Sequence, residues 1–596
     1  MFTYYWRFFM PGLSKSLIEM EDHGSIFENE IRVIDVPVLS TFLNNGHIMP
    51  ASFKKTDQVI GSSDAANVNK EFPKTVKQTE NKILQGDKSN ACATGKRIAV
   101  LFSGGPAAGG HNVIAGLRKV IGKNNTLLGV KNGPKGLIEG TVFEIREEDI
   151  PGIINTGGFD FLGSDRTKIK TPEQIAGVKK TALDNSLNGI VVVGGDDSNT
   201  NAAMLAEILF DDGVQVIGVP KTIDGDLQVG DMIPISFGFD TATKIYTEMV
   251  GNILQDTPSS HKYWHFIKLM GRSASHVALE VALQTKPAIA LISEEVEAKN
   301  MSLSGIVNQI CDIIAKRASN GINHGVVIVP EGLIEFIPEM KVLIAELNEI
   351  MGKFSIDMEK IEDFNEKEEF VSKKLNADAA KLMASLPKEI EKMLLLERDS
   401  HGNLQVSQIP TERLLIQMTE EKLREMKRHP DEVKHLHMTE AEYKKFADSK
   451  FSTNSHFFGY EGRCGAPTLF DAAYTFNLGL AAGSLILDGR TGYIASITDL
   501  GSGGKVIALP LTGLLAIERR HGKSEFVIRK GLVEIDSPAF LFFESRRSVW
   551  AEKDHFSSPG PRQIWGPVSK QLPMTVALNR DYSSIKFDLG QDTKLS

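Results

Sequence analysis

The sequence predicts an α/β protein with parallel sheets in two domains, interrupted by a helical insertion and preceded by an extension. Three observations predict it. Short β-branched apolar runs recur at 98–102, 190–193, 214–219, 288–292 and 326–329, each closed by Gly, Pro or acidic residues, as buried strands are. Helical spacing lies between several of them, as at 201–210, where Met204, Leu205, Ile208 and Leu209 form one apolar face. Strand alternating with helix is the pattern of parallel sheets, whose ligands bind beyond the carboxyl ends of the strands.

At 596 residues the chain is too long for one core. From the amino end, 1–95 reads as an extension whose stretch 56–96, rich in Asn, Lys, Ser and Thr, looks like a poorly packed linker. The Phe- and Tyr-rich opening, 1–13, is broken by Arg7 and Pro11, is too short to span a bilayer and lacks the pattern of a signal peptide. A first α/β domain is expected over 96–235 and a second over 236–335 with 451–520. Between these parts, 336–450 turns to long charged helical patterns, with Leu414, Leu415, Met418 and Leu423 on one face, and reads as a helical insertion; 521–596 forms a carboxyl-terminal segment.

Hydrophobic and charged fractions of 41% and 24% are ordinary for soluble proteins and argue against a membrane protein. A net charge of −9 argues against a general affinity for nucleic acid, so any anion must be held by locally placed cations. Cys92, Cys311 and Cys464 have neither zinc spacing nor the even count of a disulfide framework, which points to a reducing, cytoplasmic setting.

The residues after the strands carry the chemistry. The run at 98–102 enters Ser103-Gly104-Gly105-Pro106-Ala107-Ala108-Gly109-Gly110-His111-Asn112, then a helix: glycines that let backbone N–H groups approach an anion, with the helix N-terminus beyond. It fits neither the Walker A nor the G-x-G-x-x-G spacing, and alone it is equally a tight strand-to-helix turn. The run at 190–193 ends in Gly194-Gly195-Asp196-Asp197-Ser198-Asn199-Thr200; a carboxylate there suits Mg²⁺, which takes oxygen ligands and bridges phosphates, although helix capping explains one acid equally well. The run at 214–219 ends in Pro220-Lys221-Thr222-Ile223-Asp224-Gly225-Asp226. It supplies a cation and a proton acceptor, which phosphoryl transfer requires.

Together these segments resemble the phosphofructokinase family, in its pyrophosphate-dependent members of the long, plant-like type and their catalytic, beta-like chains. Further matches are Gly157-Gly158-Phe159-Asp160, Lys262-Tyr263, Met270-Gly271-Arg272, Val329-Pro330-Glu331-Gly332, Tyr460-Glu461-Gly462-Arg463 and Pro559-Gly560-Pro561, so the resemblance runs from about residue 97 to about 565. It implies two Rossmann-like domains, the first binding pyrophosphate and Mg²⁺, the second fructose 6-phosphate. Reversible transfer of a phosphoryl group to the sugar 1-hydroxyl is the implied reaction. By the same resemblance Gly104 contacts pyrophosphate, Asp196 holds Mg²⁺, Asp224 is the base, and Thr222 and Ile223 line its loop. Met270, Gly271, Arg272, Glu331, Tyr460, Glu461, Gly462 and Arg463 surround the sugar phosphate; Lys262 and Tyr263 reach the site of a neighbouring subunit in a homo-oligomer. Arginine suits the task because guanidinium matches phosphate oxygens in pairs.

In this family ATP-dependent members resemble G-G-D-G and P-G-T-I-D, and pyrophosphate-dependent ones G-G-D-D and P-K-T-I-D. Asp197 and Lys221 are the pyrophosphate pair. Asp197 would occupy space and put charge where a nucleotide's α-phosphate lies: at an effective dielectric of about 20, like charges about 5 Å apart repel by roughly 3 kcal/mol, about a hundredfold in binding. Lys221 would neutralise phosphate oxygens during transfer. A silent regulatory subunit should have lost acid, base or sugar contacts, yet Asp196, Asp224, Arg272 and Arg463 are present; a lipid or NAD kinase would share only the Gly-Gly-Asp turn. Ala108 and Asp165 depart from the family pattern without touching a residue assigned to catalysis. His261 and His265 have helical metal spacing but fall at a predicted strand; His429, His435 and His437 read as solvated, and Cys464 as a packed, inert thiol.

Overall fold

The structure is a computed structural model and describes residues 35–88, 93–354, 357–358, 361, 363–395, 409–520 and 523–556. The opening stretch, Cys92 and the motif at 559–561 lie outside these residues. Residues Val38–Ser557 form one compact unit.

Seventeen strands are described. A hairpin, β1 (Leu43–Asn44) and β2 (His47–Ile48), leads into β3 (Ala51–Val59) and β4 (Lys82–Lys88). The strand runs expected from sequence follow as β5 (Arg97–Ser103), β8 (Gly189–Gly194), β9 (Gln215–Pro220), β11 (Ile289–Ala290) and β12 (Gly325–Pro330). With them come β6 (Thr126–Val130), β7 (Val142–Ile145), β10 (Trp264–Leu269), β13 (Thr453–Phe458), β14 (Tyr493–Thr498), β15 (Lys505–Pro510), β16 (Leu515–Arg520) and β17 (Lys523–Ile528). A nine-stranded sheet has the order β3-β4-β15-β14-β9-β8-β5-β6-β7, and a four-stranded sheet the order β11-β12-β10-β13. The small sheet is wholly parallel; in the large one β14, β9, β8, β5 and β6 run parallel and the edges are antiparallel. Both have the buried β-branched strands expected of parallel sheets covered by helices.

Two expectations are corrected here. The stretch 56–96 is not a loose linker: β3, helices Ala65–Glu71 and Pro73–Thr79, and β4 occupy most of it, and β4 pairs with β15 at Leu84↔Ala508. Its buried side chains, Val68, Phe72, Thr75, Thr79 and the pair Ile83 and Leu84, are scattered, with threonine among them, so no apolar run longer than two marks them in an otherwise polar sequence. Nor does 451–520 stay with the second sheet. Only β13 does, after which helix Leu469–Leu487 carries the chain back and β14 joins β9 in parallel at Tyr493↔Ile217.

That helix is apolar enough to cross a membrane by length and composition, with a mean hydropathy of 1.2, yet 83% of the window is buried. It packs on helix Gly110–Ile121 through reciprocal glycines. A Cβ on Gly116 would lie 2.1 Å from the carbonyl oxygen of Phe476, and one on Gly479 would lie 2.3 Å from that of Val113. The insertion contributes helices Pro338–Lys353, Phe364–Ser372, Ala377–Ser385, Lys388–Leu395, Thr411–Arg428 and Glu440–Asp448, which share one apolar core with the small sheet. Leu414, Leu415 and Leu423 are buried there and Met418 packs against them. A buried pair, Lys268 with Glu412 at 3.4 Å, joins β10 to the insertion, and Lys268 also donates to the Ile409 carbonyl at 3.1 Å.

Because a side chain at Gly116 would have to displace backbone rather than a mobile side chain, Gly116→Val is expected to destabilise the protein by about 3 kcal/mol. The midpoint of urea unfolding measures it; an unchanged midpoint would show that the two helices can separate without cost.

Candidate functional site

Register places the site. In the large sheet Ser103 of β5 lies opposite Gly194 of β8, and Gly194 opposite Pro220 of β9, so Gly104, Gly195 and Lys221 follow at one level. In the small sheet Leu269 of β10 is opposite Pro330 of β12 and Phe458 of β13, so Met270, Glu331 and Gly459 follow together. These two sets of carboxyl ends enclose one cavity of about 370 Å³, lined by Gly104, Asp196, Asp197, Lys221, Thr222, Ile223, Asp224, Met270, Arg272, Glu331, Tyr460 and Arg463 among the residues expected from sequence.

The glycine loop is shaped by cations. Gly104 has φ +91°, and a Cβ there would sit 3.3 Å from the Lys221 ammonium; one on Gly105 would sit 3.4 Å from the Arg463 guanidinium. Glycine therefore lets two positive groups lie flat against the backbone. Next to it the Asn199 side chain donates to the carbonyls of Gly194 and Gly195 at 2.7 and 2.9 Å and holds that turn, from which helix Asp196–Ile208 starts. Asp196 and Asp197 stand in its first turn, where the positive end of the helix favours acids.

Burial raises the pKa of Asp196; Lys530 opposes this, and Asp197 and Asp226 add to it. One Asp196 oxygen, Oδ2, is buried with no hydrogen-bond partner. Asp197 is more exposed and lies 3.0 Å from the Lys168 ammonium, which also faces Glu525 at 3.8 Å.

After β9 the loop turns back through Thr222, whose hydroxyl accepts from the Asp224 N–H at 3.1 Å, while the Ser236 hydroxyl donates to the Thr222 carbonyl at 3.2 Å. Lys221 is 7% exposed. Burial lowers its pKa to about 8, against the pull of Asp224. Asp224 is pushed up to about 6, chiefly by burial and then by Asp226, with Lys530 acting the other way. A desolvated cation and a desolvated carboxylate thus stand on one loop, each poised near neutrality.

On the opposite wall Glu331, 6% exposed, accepts from the Gly271 N–H at 3.0 Å. Gly332 must be glycine because a Cβ would meet the Arg272 carbonyl oxygen at 1.9 Å. After β13, the Tyr246 hydroxyl donates to the Gly459 carbonyl, and Glu461 accepts from the Gly459 N–H at 2.8 Å. Tyr246 also presses on Gly462, where a Cβ would lie 2.5 Å from the ring. Arg463 stacks on Tyr460, guanidinium to ring 4.9 Å, and Tyr460 itself is 70% exposed.

Gly271, Glu461 and Gly462 therefore shape the wall without lining the cavity. Lys262 and Tyr263 are not brought to it: they lie at the amino end of β10, a six-residue strand, roughly 20 Å from Met270 at about 3.3 Å per residue. Cys464 is exposed rather than packed, though partial desolvation raises its pKa. His265 faces His456 of β13, Nδ1 to Nε2 2.8 Å, and not His261. His429, His435 and His437 are exposed.

Sequence reasoning missed Arg166, Lys168, Ser273 and Lys530 and gave no role to Asp226, which it quoted in the motif after β9; all five line the cavity. Arg166 follows Asp165, whose carbonyl accepts from the Gly104 N–H at 3.0 Å, so the strand-like pairing of 165 with 103 is what delivers it. Lys530 lies 3.3 Å from Asp226 and 3.9 Å from Asp196. Burial would lower its pKa, but Asp226, Asp196 and Asp224 together raise it. A basic residue after a β-hairpin carries no motif that could have revealed it.

Among the described residues no cluster of three His, Cys, Asp or Glu is arranged to hold a metal. A hard divalent cation still fits: one buried carboxylate with an orphaned oxygen, facing a polar cavity, is the donor set of an ion whose other ligands are phosphate oxygens and water. The arrangement as a whole offers a base, cations for an anionic donor and a second cationic wall for an anionic acceptor.

Comparison with known proteins agrees. The sequence matches the phosphofructokinase family over residues 97–486. It is 48% identical over 506 residues to the pyrophosphate--fructose 6-phosphate 1-phosphotransferase of Treponema pallidum (strain Nichols), covering 83% of this chain and 86% of that one. It is 43% identical over 546 residues to subunit beta 2 of the Arabidopsis thaliana protein of that name, covering 89% and 91%. The Porphyromonas gingivalis protein of the same name is 43% identical over 549 residues, covering 89% and 97%. With its family segment matched from the first strand of the site to the end of the core helix, this chain belongs to the phosphofructokinase family.

Proposed function

We propose that the protein transfers a phosphoryl group reversibly from inorganic pyrophosphate to the 1-hydroxyl of D-fructose 6-phosphate, with Mg²⁺, giving fructose 1,6-bisphosphate and phosphate. The observation that carries this reading is the loop after β9, where Lys221 and Asp224 face one cavity with Asp196 across from Arg272 and Arg463. The relatives' names supply the substrates.

Asp224 accepts the proton of the sugar hydroxyl as its oxygen attacks the near phosphorus; the bridging P–O bond breaks and orthophosphate leaves. Lys221 lies against Gly104 and offsets the charge that builds on the transferred group. Asp196 would hold Mg²⁺, whose charge would help to neutralise an anionic donor. Arg272 and Arg463 hold the sugar phosphate. Met270 and Tyr460 border it, and Glu331 fixes the Gly271 turn while facing the sugar.

Pyrophosphate is favoured over ATP by what surrounds Asp197. Thr167, Lys168, Ser198 and Asn201, which line the cavity with it, are all polar, which suits a diphosphate better than a purine. Both reasons expected of the sequence, bulk and charge, apply at this position: Asp197 lies 3.0 Å from Lys168, a half-exposed pair that adds bulk and only partly offsets the charge. Supporting a catalytic chain over a silent one, Asp196, Asp224, Arg272 and Arg463 all face the cavity.

Lys262 and Tyr263, distant from this chain's own cavity, would serve that of a second copy in a homo-oligomer; Tyr263 is 39% exposed. A cytoplasmic setting accords with free thiols at Cys311 and Cys464.

The purified protein, given fructose 6-phosphate, Mg²⁺ and each donor in turn, is expected to form fructose 1,6-bisphosphate at least about a hundredfold faster with pyrophosphate than with ATP. Equal or faster turnover with ATP refutes the donor assignment. Asp224→Ser should lower kcat by about 10²–10⁴-fold with little change in KM for the sugar, and near-normal turnover removes Asp224 as base. The pH profile of kcat/KM has a definite sign. Asp224 must be ionised, so the forward rate falls as pH drops through about 6; Lys221 must be protonated, so it falls again as pH rises through about 8. In Lys221→Arg the alkaline limb should vanish from that range, and its persistence assigns the limb elsewhere.

A further inference from the structure

The segment that follows β17 lies beyond the part of the chain matched to the family, yet it enters the cavity. β17 is fixed to the large-sheet half where the Ile528 N–H donates to the Thr200 hydroxyl at 3.0 Å. The chain then crosses between the halves. The Gly531 N–H donates to the Asp226 carbonyl at 2.6 Å on the large-sheet side, and the Gly531 carbonyl lies 2.9 Å from Nε2 of His276 on the small-sheet side. Two residues on, the Val533 N–H donates to Glu294 at 3.0 Å, an oxygen that also accepts from the Ser275 N–H at 3.0 Å. Residues 529–533 thus form a strap pinned to the loop after β9 and to the loop after β10.

Lys530 is the strap's inward side chain. Its ammonium donates to the Ser273 hydroxyl at 2.6 Å, lies 3.3 Å from Asp226 Oδ2 and comes within 3.9 Å of the orphaned Asp196 Oδ2. Asp226 is 4% exposed, so this cation is the nearest compensation for a carboxylate that water scarcely reaches. Lys530 still lines the cavity with its side chain 28% exposed, which leaves an N–H free to turn to an incoming anion. Ser273 belongs to one half of the cleft and Asp226 to the other, so one side chain both spans the gap and charges it.

We propose that Lys530 is a positioning and donor-binding residue of the phosphoryl-transfer site: it ties the Asp196 and Asp226 carboxylates of one half to Ser273 of the other and presents its ammonium to the phosphate donor. This rests on the reading of the cavity as a phosphoryl-transfer site. Two effects of opposite sign follow. Lys530 competes with a divalent cation for Asp196, so its removal strengthens cation binding to the free protein; it attracts the anionic donor, so its removal weakens donor binding. A strap that merely supported the fold would weaken both.

Calorimetry on the full chain with Mn²⁺ alone, and with methylenediphosphonate in saturating Mg²⁺, separates these cases for the wild type, Lys530→Met, Lys530→Gln and Lys530→Arg. The Met and Gln variants are expected to bind Mn²⁺ about threefold more tightly and the diphosphonate about tenfold more weakly, while Arg stays near wild type on both. Gln keeps a donor for Ser273 and serves should Met fail to fold. Equal weakening on both probes, or no change on either, overturns the proposal. Should the wild type bind a non-hydrolysable ATP analogue and not the diphosphonate, the pyrophosphate assignment fails separately, and the Lys530 comparison is read with that analogue for the same pair of signs.

Discussion

Everything in the cleft depends on strand ends that finish level. Ser103 and Pro220 both lie opposite Gly194 in the parallel part of the large sheet, and Pro330 and Phe458 both lie opposite Leu269 in the small one, so six loops begin at two matched heights and face one another. A one-residue slip would turn every following side chain to the opposite face. The register is fixed by burial on both faces of each sheet, with Val191, Val193, Val216, Phe266, Val327 and Val329 scarcely exposed. A buried, featureless apolar strand is therefore what aims the reactive groups.

Desolvation then makes those groups reactive. Lys221 and Asp224 share a loop, and the same burial that lowers one pKa raises the other. The acidic cluster of Asp196, Asp224 and Asp226 is tolerable because cations are threaded among it: Lys221 lies against glycine backbone and Lys530 arrives from the strap. Asp197 and Lys168, 3.0 Å apart, are more exposed than these groups.

The core strands and most of the cavity were legible in the sequence because they are local: an apolar run closed by a motif is one continuous signal, as at 190–197 and 214–226. What could not be read had to come from pairing. β4 carries only Ile83 and Leu84 as buried apolar residues in a polar stretch, and it is a strand because β15 lies beside it. β14 reads as any buried run, and nothing in its own residues says that it returns to the first sheet. Arg166, Lys168 and Lys530 are ordinary basic residues by composition; bridging and strap geometry bring them to the cavity. Asp197 was visible, while its partner, nearly thirty residues earlier, was not.

A crystal structure of the complex with fructose 6-phosphate, Mg²⁺ and methylenediphosphonate tests the central claim most directly. The account predicts the diphosphonate between the Gly104 loop and Lys221, with the ammonium in hydrogen-bonding distance of a phosphonate oxygen, and the sugar 1-hydroxyl against the Asp224 carboxylate. A diphosphonate bound away from Lys221, or a sugar whose 1-hydroxyl faces away from Asp224, would contradict it.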